Sequence, residues 1–173
     1  MNTLIDPLYI CLLPIVFMLH ELEEIIMTQN WLHHNQTQLG KRFPRIKGML
    51  HNLENLPTPA FTLAVAEEFI ILSACTVIAL TTGHVTAWYC CLLAFSLHLI
   101  IHFIQFLIVR QYIPAIITTI LCLPYCIWAF LQISPQYTIW ETIIWGITGS
   151  IFGVLNLALV HKITPKLWSK ISM

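Results

Sequence analysis

Charge is what this sequence has least of. Only 9% of its 173 residues are Asp, Glu, Lys or Arg, against 58% hydrophobic, and the mean hydropathy is +0.79. Such a chain cannot cover a water-soluble globule with polar surface, so a soluble domain is excluded and an integral membrane protein is implied. Met1 to Asp6 contain no basic residue. Without a positive n-region a cleaved signal peptide is not expected, and the first apolar segment is expected to stay in the mature protein. With a formal net charge of zero there is no basic footprint for nucleic acid, and no such partner is expected. The six cysteines, Cys11, Cys75, Cys90, Cys91, Cys122 and Cys126, lie inside or at the edges of apolar runs. There thiols act as small hydrophobes rather than as a disulfide framework.

Long apolar runs are abundant. Five segments, about 4–27, 60–82, 85–109, 113–133 and 139–161, are long enough to cross roughly 30 Å of hydrocarbon at about 1.5 Å per residue. The expected fold is all-α: a polytopic membrane bundle of about five transmembrane helices forming one domain over 1–173. Residues 28–59 are expected as a cytoplasmic loop, and three short turns make the later helices antiparallel neighbours. Five crossings put Lys41, Arg42, Arg45, Lys47, Arg110, Lys162, Lys166 and Lys170 on a single side. By the positive-inside rule that side is cytoplasmic, which predicts N-out/C-in. The setting expected is the lipid bilayer of a bacterial inner membrane, spanned several times.

The few charges inside these segments cluster. His20-Glu21-Leu22-Glu23-Glu24 closes the first segment, and Glu67-Glu68 sits about eight residues into the second. His98 and His102 stand at i and i+4 in the third, with Gln105 continuing the stripe. At about 100° per residue His20, Glu23 and Glu24 share one helix face and Glu21 is expected roughly opposite. An acidic residue at the centre of a span costs about 2.5 to 3.5 kcal/mol, so these groups must be paired, neutralised, metal-bound or wet. All three sets lie roughly 5 to 15 Å from the same membrane face by the 1.5 Å rise, so they can form one site.

No Lys or Arg lies in the first three segments to balance the carboxylates. The donor set suits a divalent transition metal such as Zn, Fe or Mn. The expected ligands are His20, Glu24 and His102, with Glu67 or Glu68 completing the set and His98 as a further candidate. Glu23 or Glu67 would be a general base in an enzyme acting on a hydrophobic small molecule from the bilayer. Known patterns do not fit. The motif H-x-x-E-H would need His where Glu24 stands, and the ferritin-like E-x-x-H order is reversed. A metal-free glutamic hydrolase of the intramembrane CAAX-protease type would need Arg where Thr28 and Leu72 stand. The alternative of another class is a carrier or interaction subunit whose Glu/His network only fixes helix register. His33, His34 and His51 read as part of a polar connector, Glu141 as a solvated residue near the outer end, and Gly146, Gly149 and Gly153 as close-packing positions.

The residues resemble those of the integral-membrane family of unknown function known for an H-x-x-E-E motif. The resemblance rests on His20-Glu21-Leu22-Glu23-Glu24, Trp31, the acidic pair of the second segment, and His102-x-x-Gln105-x-x-x-x-Arg110-x-Tyr112-x-Pro114 with Thr118 downstream. It implies a small helical bundle in which His20, Glu23, Glu24, His102 and Gln105 are signature residues, joined by Arg110 and Tyr112. His98 stands where the family tends to have Asn. The resemblance brings no reaction with it.

Overall fold

A computed structural model describes residues 7–171. The leader reading of Met1 to Asp6 and the first three residues of the 4–27 segment lie outside it. Among the described residues there are six α-helices: α1 (Pro7–Arg42), α2 (Lys47–Glu54), α3 (Thr58–Thr82), α4 (Thr86–Val109), α5 (Ile116–Ile133) and α6 (Ile139–Ile171). Short 3₁₀ turns cover Pro44–Ile46 and Ser134–Gln136. Four of these elements are long and apolar enough to cross a membrane: α3, α4, α5 with its 3₁₀ turn, and α6. α1 is not one of the four, because the 18 residues from Pro7 to Glu24 already contain three carboxylates.

The expected loop over 28–59 is mostly helix. α1 runs through Thr28 without a break to Arg42, because no proline follows Pro14 until Pro44. Phe43, kept out of the helical region at φ −129° and ψ 75° by the proline after it, ends the run. Elsewhere the breakers are local. Gly83 closes α3 in the left-handed region at φ 76°. Arg110 (φ 60°) and Ala115 (φ 70°) bracket the turn between α4 and α5. Before α6, Thr138 and Glu141 form a reciprocal cap: Glu141 Oε2 accepts from Thr138 N at 2.8 Å, and Glu141 N donates to Thr138 Oγ1 at 3.3 Å.

α1 packs on α3 and α5, α4 packs on α5 and α6, and α3 packs on α6 and α4. The backbones of α1 and α4 stay farther apart. Side chains fill the space between them, beginning with Tyr9, Phe17, Trp88 and Phe95, all buried. Pro14 lacks an amide proton and leaves the carbonyl of Ile10 without its helical donor. The fully buried Trp88 supplies one, its Nε1 donating to Ile10 O at 3.2 Å. Trp88→Phe deletes the donor together with the pyrrole half of the indole, so it should cost about 1 to 3 kcal/mol for the stranded carbonyl and more for the cavity. Thermal unfolding in detergent measures this, and an unchanged midpoint would mean that another donor takes over.

Of the three glycines expected to pack closely, only Gly149 does. A Cβ there would lie 2.5 Å from the carbonyl oxygen of Cys90 on α4, whereas at Gly146 the nearest atom is 3.8 Å away and at Gly153 nothing lies within 4 Å. All six cysteines are free.

The basic residues gather at one end. Arg42 Nη1 and Nη2 donate to Val109 O at 2.8 Å and Ile108 O at 3.0 Å, which satisfies carbonyls at the end of α4 and sets a cation against its negative pole. His161 lies against Phe61, near the start of α3, with ring centroids 6.1 Å apart. The end of α1, the end of α4 and the last turns of α6 therefore share a side, and with them all eight Lys and Arg.

Candidate metal centre

Below the aromatic layer, the space between α1 and α4 is filled by imidazoles. His20 is fully buried, edge-on to Phe95 at 5.7 Å, to His98 at 5.1 Å and to His102 at 5.2 Å between centroids. His98 Nε2 is 3.1 Å from His20 Nε2 and 3.1 Å from His102 Nε2. Glu24 Oε1 is 2.9 Å from His102 Nε2. The four side chains present ligand atoms that all lie within 4.8 Å of one another.

The donor chemistry fits a cation. An N–H···N contact needs one donor and one acceptor, and three Nε2 atoms directed at each other cannot all be paired by their own protons. Ligands about 2.0 to 2.1 Å from a tetrahedral Zn²⁺ stand about 3.3 Å apart; here adjacent donor atoms are 2.9 to 3.1 Å apart and all four lie within 4.8 Å. His102 Nδ1 is buried with no hydrogen-bond partner among the described residues.

A second layer surrounds His20. The first amides of α5 are orphan donors at a positive helix pole, and Glu23 takes them: Thr118 N reaches Oε2 at 2.7 Å and Ile117 N reaches Oε1 at 3.4 Å. Thr118 Oγ1 donates to the same Oε2 at 2.7 Å, and the Tyr112 hydroxyl donates to Oε1 at 2.9 Å. Burial, then the Glu23 carboxylate, push the Tyr112 phenol up to about 12. Trp31 Nε1 in turn donates to Tyr112 O at 2.8 Å. Thr118 Oγ1 also lies 3.3 Å from His20 Nδ1. Outside this clasp is a groove of about 480 Å³ lined by Glu23, Met27, Tyr112, Ile117 and Thr118. Ile117, 56% exposed, stands where lipid would lie.

Other expected residues fall elsewhere. Glu67 accepts from Asn156 Nδ2 at 2.9 Å and belongs to the contact between α3 and α6. Glu68, about 100° further round α3, faces the other way, within electrostatic reach of Glu21 and Glu24 but outside the four-residue group. The division is inherent in adjacent positions on a helix lying between two neighbours. Glu21 is not opposite the site. It is 4% exposed, with Oε1 3.9 Å from His98 Nε2. Positions three apart on a helix differ by only about 60°, so Glu21 lies beside Glu24 while Glu23 is the one turned away from it. Gln105 continues the histidine stripe one turn too far toward the helix end and is exposed. Arg110 is exposed as well and serves as the left-handed cap of α4.

Reasoning from the sequence gave Thr118, Trp31 and Arg42 no role in the site. Thr118 and Trp31 stand in the motif pattern, but their partners are 81 to 98 residues away in the chain, and no local signal pairs them.

Four helices long and apolar enough to cross a membrane, with a partly buried His/Glu group that could hold a metal ion, mark the chain as a polytopic membrane protein. A family model described as proteins of unknown function with an HXXEE motif matches residues 11–129, more than half the chain. The chain belongs to that family. Neither a curated protein nor a solved structure matches it.

Proposed function

We propose that this protein is a membrane-embedded metalloenzyme in which His20, Glu24, His98 and His102 hold one divalent transition ion, Zn, Fe or Mn, beside a hydrophobic, lipid-like substrate. The observation that carries this reading is the convergence of three imidazole Nε2 atoms and one carboxylate oxygen within 4.8 Å, in a region without Lys or Arg. The groove beside Thr118 supports a substrate that approaches sideways from the bilayer. When bound, an ion that accepts a ligand beyond these four donors would supply Lewis acidity, polarising a carbonyl or acidifying water. Glu23 and Glu67, the bases expected from sequence, are each engaged in hydrogen bonds. That leaves Glu21 and Glu68 as the nearby carboxylates with no hydrogen bond among the described residues to compete for a proton. The close ring packing of His20, His98 and Phe95 would equally suit an ion kept for structure alone; the groove favours the enzyme.

Metal analysis of protein purified in detergent without chelators tests the reading. About one equivalent of Zn, Fe or Mn is expected. Metal-free protein that neither takes up these ions nor gains stability from them would overturn it.

The same reading places α1 as a fifth crossing. At about 1.5 Å per residue its 36 residues span about 54 Å, enough for the hydrocarbon and a cytoplasmic extension. The clustering of all basic residues at one end supports an N-out, C-in protein of a bacterial inner membrane. A fluorescent reporter that folds only in the cytoplasm, fused after Met173, should light up. Phosphatase activity from a periplasm-dependent fusion at the same point would reverse the orientation.

A further inference from the structure

We propose that Thr118 is a positioning residue that keeps the His20 proton on Nδ1 and its Nε2 lone pair free for a cation, through a chain running from Glu23 to Thr118 to His20. The direction of the chain follows from what each group can do. A carboxylate only accepts, so the 2.7 Å contact between Thr118 Oγ1 and Glu23 Oε2 uses the hydroxyl proton. The competing carbonyl, Ala115 O at 3.2 Å, is farther and uncharged. With its proton committed, Oγ1 offers a lone pair to the atom 3.3 Å away, His20 Nδ1, which must then be the donor. Nε2 is left bare, and it is this nitrogen that faces His98 Nε2 at 3.1 Å inside the ligand group. Glu23 cannot swing away, because Tyr112 OH and the amides of Ile117 and Thr118 hold both of its oxygens. A carboxylate behind a ligating imidazole fixes its tautomer and raises its basicity. Here the hydroxyl of Thr118 extends that link by one group, and the groove opens on the same two residues.

The purpose of this chain rests on the metal reading, but the tautomer does not, so the two are tested separately. In metal-free protein labelled with ¹⁵N at histidine, the His20 ring, identified by its loss in His20→Asn, should show the Nδ1–H form by NMR. Thr118→Val should shift it toward Nε2–H, and Thr118→Ser should restore it. Titration with Co²⁺, followed by its visible absorption, should show Thr118→Val binding roughly 10- to 100-fold more weakly. Thr118→Ser should bind close to wild type, and Glu23→Gln should fall between. An Nδ1–H form and Co²⁺ affinity unchanged in Thr118→Val would overturn the proposal. A loss that Thr118→Ser does not rescue would overturn it too, since it would mark packing rather than hydrogen bonding. Should Thr118→Val fail to fold, Glu23→Gln alone decides, and wild-type behaviour in both measurements would again overturn it. If wild-type protein takes up no Co²⁺, the metal reading falls while the tautomer measurement still stands.

Discussion

Alanine at His20, His98, His102 or Glu24 is expected to empty the metal site and to lower the unfolding temperature, each variant by a similar amount. Each contributes one of four donor atoms, and three remaining donors hold an ion less tightly. An ion present at 1,000 times its dissociation constant stabilises the folded state by about 4 kcal/mol, and that stabilisation is what each variant forfeits. Chelator treatment of the wild type should lower its unfolding temperature to near that of the variants and should not affect the variants themselves. Leu22→Ala is the appropriate control, since Leu22 is 43% exposed on the outer face. Glu21→Ala is not, because Glu21 is buried against His98. Variants that keep a full equivalent of metal, or a wild type indifferent to the chelator, would defeat the four-ligand assignment.

Gly149→Ala should be the most damaging single-methyl change in the scaffold. Its Cβ would sit 2.5 Å from Cys90 O and 3.0 Å from the carbonyl carbon, both backbone atoms that no rotamer change can move. α4 must therefore shift from α6, and α4 carries His98 and His102. Overpacking typically costs about 1 to 3 kcal/mol, and a rigid backbone contact belongs at the upper end of that range. Gly149→Leu should not yield folded protein. Gly153→Ala, with nothing within 4 Å, should instead gain up to about 1 kcal/mol from helix propensity. Equal unfolding temperatures for the alanine variants at 149 and 153 would show that α4 and α6 separate freely.

The helices beyond residue 58 were legible because hydrophobic length reports on lipid contact, and it located α3, α4, α5 and α6 to within a few residues at most ends. It says nothing about backbone continuity once the residues turn polar. For that reason 28–42 looked like connector, although it lacks any proline that would stop α1. The Thr138-x-x-Glu141 cap could be read from spacing, yet a polar residue near a span end invites the simpler reading of solvation. In the site, equal depth on neighbouring helices was enough to bring His20, Glu24, His98 and His102 together, because rise per residue is nearly constant. Rotation was harder. Glu21 is about 160° from Glu23 but only about 60° from Glu24, so it shares the site's side of α1, and the division between Glu67 and Glu68 depends on which neighbours α3 touches. The clasp around Glu23 was beyond reach, since Tyr112 and Thr118 lie 89 and 95 residues away.

Three anchors on α1, Glu23, Trp31 and Arg42, all grip the stretch from Ile108 to Thr118. They are 8 and 11 residues apart on one unbroken helix: at about 100° per residue Trp31 and Arg42 stand within about 20° of one line, and Glu23 about 80° round from it. Side chains on this segment of α1 other than the three anchors can change, but its length cannot. Deleting one residue between Glu23 and Trp31 would rotate the indole and the guanidinium by about 100° and draw them back by about 1.5 Å, parting Trp31 from Tyr112 and Arg42 from the end of α4 together. The part of α1 beyond Glu23 thus works as a ruler, and a frame-preserving deletion there would be felt at the histidines without altering any of them.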